Sequence, residues 1–186
     1  MRCWCALSLP LLLLVGCVQQ TALRPPRSFI AFEAPEKAFK GLRPDGWREV
    51  KGVSKGKMSG VSFNQYDAKI GITSSLERVS GGNPLEKIHG GYRERASQGL
   101  TNYQEPTAQS FRNHLGKGYL SEFTGEIKAP IGSNKVHGYR ATILTNTKNW
   151  DVTVVARCWE TDWASLQPAF KKVIESLDAV PPSSGG

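Results

Sequence analysis

The sequence predicts an α+β domain, an antiparallel sheet with helices packed on it. Three observations carry this. Val61, Phe63, Ile70 and Ile72 alternate with polar residues around a turn signal, which is a hairpin pattern. Val136–Thr145 and Val152–Cys158 repeat it, with Tyr139, Ala141 and Ile143 answered by Val152, Val154, Ala156 and Cys158. Trp163, Leu166, Phe170, Val173, Ile174 and Leu177 then recur at helical spacing. Strands in consecutive hairpins, interrupted by one helix and closed by another, form a sheet with helices on it.

Taken in order, Phe29–Glu33 opens the fold as a short strand, and Ala34–Pro44 reads as loop or one helical turn. Gly46–Val50 is the next strand, where Trp47 begins to cover the core. Residues 51–60, rich in Gly and Lys, make a hairpin loop, and Val61–Tyr66 runs to a turn at Asp67-Ala68. Asn83 is a good helix cap, Pro84 suits the first helical position and Glu86 follows three residues after the cap. Leu85, Ile88, Tyr92 and Ala96 share a face of that helix, which ends near Gln98-Gly99. Tyr119, Phe123 and Ile127 share one face of a strand over Gly118–Lys128, and Asn146–Asn149 turns the final hairpin. Asp162 is placed to cap the last helix.

The N-terminus is a separate unit. Arg2 precedes the apolar run Ala6–Val15, which is too short to span a bilayer core. Its length and the small Gly16 fit a secretory signal with a cleavage site. Leu14-Val15-Gly16-Cys17 resembles the lipobox of bacterial lipoproteins. That resemblance implies cleavage before Cys17, a diacylglyceryl group on its thiol, and acylation of the new amine by a chain such as palmitate. Each buried methylene contributes ~0.8 kcal/mol, so two or three chains give stable attachment to a membrane. Val18, where an Asp would resemble an inner-membrane retention signal, points to the periplasmic face of the outer membrane. The expected division is a signal peptide over 1–16, lipidated Cys17 and a Pro-containing tether to residue 28, the domain over 29–178, and a disordered tail over 179–186.

The formal charge is +8 over 186 residues, and loss of Arg2 with the signal leaves +7. The cations are scattered, as on a solvated surface, or they attract an acidic lipid, polymer or protein. Nucleic acid is excluded as a partner of an exported protein. Cys3 and Cys5 leave with the signal and Cys17 is acylated. Cys158 therefore has no disulfide partner and reads as a small buried residue.

Few residues carry a signal for chemistry. His89, His114 and His137 lack metal-ligand spacing, so no metal site is expected. His89 lies beside the apolar stripe of its helix, as a structural residue would. Gly60-Val61-Ser62 lacks the final Gly of a nucleophile elbow, and Gly116-Lys117-Gly118 precedes a strand where a phosphate loop needs a helix. Glu122 and Glu126 on one strand face are ~13 Å apart at ~3.3 Å per residue, beyond a glycosidase pair. Each reads as half of a surface charge pair. Trp150 and Trp159 either pack under a helix on the second face of the sheet or, exposed, contact a partner.

The order of elements resembles the PsbP-like superfamily, which includes the Ran-binding Mog proteins and periplasmic lipoproteins of the DcrB type. The resemblance rests on the opening segment Phe29–Pro35, on Pro44-Asp45-Gly46-Trp47, on the long hairpin Val136–Trp159, and above all on Trp163–Leu177 with its Leu-x-x-x-Phe pair and terminal Ser-Leu. It implies an α/β/α sandwich used for docking, with no shared catalytic centre and no cofactor. The expectation is a non-enzymatic, lipid-anchored envelope module for protein interaction or assembly. The alternative is a binding protein for an anionic small-molecule or polymeric envelope ligand.

Overall fold

A computed structural model describes residues 23–52, 58–75, 85–130, 132–146 and 150–180. Cys17, the signal, the Asn83-Pro84 start and most of the Asn146–Asn149 turn lie outside these. The strands are β1 (Phe29–Glu33), β2 (Lys40–Pro44), β3 (Arg48–Lys51), β4 (Met58–Gln65), β5 (Ala68–Ser75), β6 (Thr101–Gln104), β7 (Gln109–Arg112), β8 (Gly116–Lys128), β9 (Ser133–Thr145) and β10 (Asp151–Trp159). The helices are α1 (Leu85–Ser97) and α2 (Glu160–Glu175), with a 3-10 turn at Pro35–Lys37. The main sheet runs β3-β4-β5-β10-β9-β8-β6, with β7 also paired to β8, and every pairing is antiparallel. β1 and β2 form a separate ribbon.

The alternation that predicts the hairpins sets which side chains are buried. Val61, Phe63, Ile70, Ile72, Ala141, Ile143, Val152, Val154, Ala156 and Cys158 point to one face, and all are buried. Onto it α2 lays Trp163, Leu166, Phe170, Val173 and Ile174, with Leu177 just past the helix end, and each is buried. Trp47 meets Phe170 edge-on at 6.2 Å. Burial pushes the Cys158 thiol up to about 12, so it stays protonated and inert.

Four expectations shift. The stretch read as loop or one helical turn holds the 3-10 turn at Pro35–Lys37 and also β2, whose low β propensity hides an edge pairing with β1. It is tied to the end of α2 by Lys40–Asp178 backbone bonds of 3.0 and 2.9 Å and by Leu42 N–H to Ser176 Oγ at 2.9 Å. The β4–β5 turn falls at Tyr66-Asp67, one residue early, because Ala68 is needed in the core. β6 and β7 are additional, and both are polar edge strands. Asp162 does not cap α2: the helix starts at Glu160, Trp159 occupies the cap without a side-chain bond, and Asp162 Oδ1 accepts the Leu23 N–H at 2.7 Å. Residues 23–28 thus lie along the domain, and Leu23 packs on the core.

Pro168 sits inside α2, where it removes one helical hydrogen bond and crowds the preceding turn. Pro168→Ala is expected to raise stability by about 1–3 kcal/mol, measured by urea denaturation.

Candidate functional site

α1 contributes few apolar contacts. Leu85, Ile88, Tyr92 and Ala96 are each half-buried, and His89 is the residue it buries fully. The helix lies on the sheet face opposite α2, against β8 and β9. Polar side chains hold it there. Arg140 of β9, 1% exposed, donates from Nη1 to the His89 carbonyl and from Nε to Glu105 Oε1 at 3.1 Å, and its Nη2 pairs with the same carboxylate. His89 Nδ1 lies 3.0 Å from Thr142 Oγ1, and its Nε2 lies 2.8 Å from Ser121 Oγ. Tyr103 Oη donates to Glu105 Oε2 at 2.6 Å.

Ser121, His89 and Glu105 have the composition of a hydrolytic triad but not its geometry. A triad needs serine and carboxylate on opposite ring nitrogens. Here the Glu105 carboxylate lies 3.6 Å from Nε2, on the side of Ser121, while Nδ1 faces Thr142. All three are buried beneath α1. The cluster is therefore a structural lock. Burial alone would raise the Glu105 carboxyl, but hydrogen bonds from His89, Arg140, Tyr103 and Ser121 outweigh it and hold the group well below the usual carboxylate range.

A second histidine cluster lies on the α2 side. His137 Nε2 is 2.7 Å from Glu122 Oε1 and its Nδ1 is 2.9 Å from Glu160 Oε2, with the ring stacked on Trp163 at 3.9 Å. Glu122 thus has a hydrogen-bond partner, and Glu126 accepts from Ser133 Oγ at 2.8 Å. Among the described residues no group of three or more His, Cys, Asp or Glu is arranged to hold a metal. Gly118 serves packing: a Cβ there would lie 2.5 Å from the Phe111 ring.

The open part of the sheet is the more informative surface. Beyond α1, the strands β10, β5, β4 and β3 present their outer face. Register aligns Arg48, Asn64, Lys69 and Arg157 in one row across it, and Val50, Ser62, Gly71 and Val155 in the next. Val50 and Met58 are exposed, at 40% and 46%. Between this floor and α1 lies a half-open groove of about 420 Å3, a ligand-sized space. Lys69, Arg95 and Arg157 line it together with the apolar Met58, Ala96 and Val155. Its wall residue Tyr92 donates to Asp151 Oδ2 at 2.6 Å, and burial together with that carboxylate pushes the phenol up to about 12. Arg95 stacks over the Tyr92 ring at 5.2 Å.

Lys69 and Arg157 are direct cross-strand partners. Like charges so placed repel. Neither makes a salt bridge among the described residues. The sequence holds no signal for this pair, because the two residues are 88 positions apart and meet only through strand register.

Trp150 and Trp159 are both half-buried. Trp150 precedes β10, its N–H donating to Thr145 Oγ1 at 3.2 Å. Trp159 ends that strand opposite Val136. Nine residues of extended chain separate them by roughly 30 Å, so they belong to different surfaces.

An antiparallel sheet with α2 on one face and α1 on the other is the PsbP-like α+β fold. The chain is similar to cyanobacterial PsbP from Synechocystis sp. PCC 6803, at 15% identity and a TM-score of 0.61, covering 89% of this chain and 99% of that one. It is similar also to the Ran-binding protein Mog1p of Saccharomyces cerevisiae, at 11% identity and 0.55, covering 82% and 96%. A third is LpqN of Mycobacterium tuberculosis, involved in cell envelope biogenesis, at 12% identity and 0.51, covering 83% and 91%. No family model and no curated relative matches the sequence.

Two outcomes follow. Glu105→Gln leaves the buried Arg140 charge uncompensated and is expected to cost about 3–5 kcal/mol at neutral pH. The carboxyl titrates at 4.5 when unconstrained and lower in the fold, so its contribution is complete above about pH 5 and is lost as pH falls toward the folded value. Urea curves of wild type and variant should accordingly converge on acidification. Lys69→Thr, by contrast, is expected to gain roughly 0.2–1 kcal/mol at low salt and less at high salt.

Proposed function

We propose that the protein is a lipid-anchored, non-enzymatic interaction module of the bacterial cell envelope. The observation that carries this reading is the open sheet face, where Val50 and Met58 are exposed and Arg48, Lys69 and Arg157 form a row with no salt bridge among the described residues. A partner with acidic and apolar groups would cover both kinds of side chain. The fold is shared with a Ran-binding protein and with a protein of envelope biogenesis, which supports a docking role. Cys17 is the proposed attachment site, with cleavage after Gly16 and the domain on the periplasmic face of the outer membrane. Trp150 and Trp159 remain candidate partner contacts, on separate surfaces.

In intact cells, Cys17→Ser is expected to move the protein out of the membrane fraction and change its gel mobility. Retention at unchanged mobility would exclude the lipobox. A short amine-reactive crosslinker is expected to give one dominant protein adduct, read by mass spectrometry, that weakens with Val50→Ser or Trp159→Ala. An adduct pattern that neither variant changes would place docking elsewhere.

A further inference from the structure

We infer that the groove between α1 and the β5–β10 face is a binding site for a single anionic phospholipid, its phosphate held by Lys69, Arg157 and Arg95. The inference deepens the reading of the open sheet face as a binding surface, and it rests on that reading but not on acylation of Cys17. Its first support is charge. Lys69 and Arg157 face each other across paired strands, Arg95 approaches from the helix, and none of the three has a salt-bridge partner among the described residues. Two like charges fixed in register repel until an anion lies between them. A phosphate fits, since guanidinium forks pair with its oxygens through parallel hydrogen bonds while lysine adds a point charge.

The second support is the apolar part of the same groove. Val155 and Ala96 line it near the cations, and Met58, paired with Ser75, lines its other end and is exposed although large and apolar. A free inorganic anion would leave these three side chains in water. A ligand that joins a phosphate to an acyl chain covers both. The volume, about 420 Å3, is that of a site for one small molecule. Between Lys69 and the Met58 end, β5 contributes only the small Gly71, Thr73 and Ser75 to the floor.

The test uses the full chain purified in a neutral detergent and native mass spectrometry with dihexanoylphosphatidylglycerol or dihexanoylphosphatidylcholine. The expected result is a 1:1 adduct with phosphatidylglycerol, at least tenfold weaker with phosphatidylcholine. Lys69→Gln and Arg157→Gln should each lower the adduct at least tenfold, and Lys69→Arg should keep it. Both Gln variants should unfold at the same or higher urea concentration than wild type, which separates lost binding from lost folding. Inorganic phosphate that displaces the lipid at equal concentration would overturn the inference, because the apolar lining would then contribute nothing. Displacement by a hexaglutamate peptide at lower concentration would also overturn it and assign the groove to an acidic protein segment. Absence of any adduct would overturn it too, while leaving the crosslinked partner and the Cys17 result untouched.

Discussion

The Arg140–Glu105 pair, with His89 against it, is the interaction on which the outer half of the molecule depends. α2 is held by a continuous apolar stripe, and burial of such side chains is favourable wherever they fit. α1 has no equivalent. It buries a histidine, and its place on the sheet is set by bonds of fixed direction to Arg140, Ser121 and Thr142. Directional bonds specify a position more narrowly than apolar contact does. A buried ion pair adds little net stability over a well-packed apolar substitute, yet a single position for α1 is what gives the groove its shape. Glu105 also fixes the segment between β6 and β7, so one carboxylate aligns a helix, an edge and a central strand.

What the sequence made legible follows from periodicity. The α2 stripe, the β4–β5 and β9–β10 hairpins and the buried Cys158 all lie where apolar residues recur at the period of their element. β2, β6 and β7 escape because edge strands pair on one side only and tolerate polar residues, as in Thr101–Gln104 and Gln109–Arg112. Asp162 is a cap residue by type, but the chain before it supplies a donor, Leu23 N–H, that claims its carboxylate. His89 is placed beside an apolar stripe by sequence, and its burial fits that reading. Its partners Arg140 and Glu105 could not be foreseen, since they come from distant segments and carry types that are usually exposed.

The same division separates the two sheet faces. On the α2 face, composition decides the outcome, and many apolar residues could fill it. On the outer face, register decides, and its consequences are local: Gly138 leaves space for the Phe123 ring, 2.6 Å from where a Cβ would be, and Phe123 in turn stacks on Tyr103 at 5.5 Å. The row that reaches Gly138 and Phe123 begins at Arg48 and passes through Lys69 and Arg157. A slip of one residue in the β5–β10 register would turn one of the two cations into the core. The apolar alternation that forbids that slip therefore also maintains the cationic row.

The bond from Leu23 to Asp162 sets a short leash. Only residues 18–22 separate Leu23 from Cys17. Fully extended, that chain reaches about 20 Å. Anything attached at Cys17 is thus confined to a sphere of that radius centred near the first turn of α2. Were Cys17 acylated as proposed, a domain on such a leash would not tumble freely above the membrane, because the pole bearing Asp162 would have to face it. Rotation about the perpendicular axis is the main freedom left. A partner met under that proposed tether would be met with the domain's orientation already largely chosen.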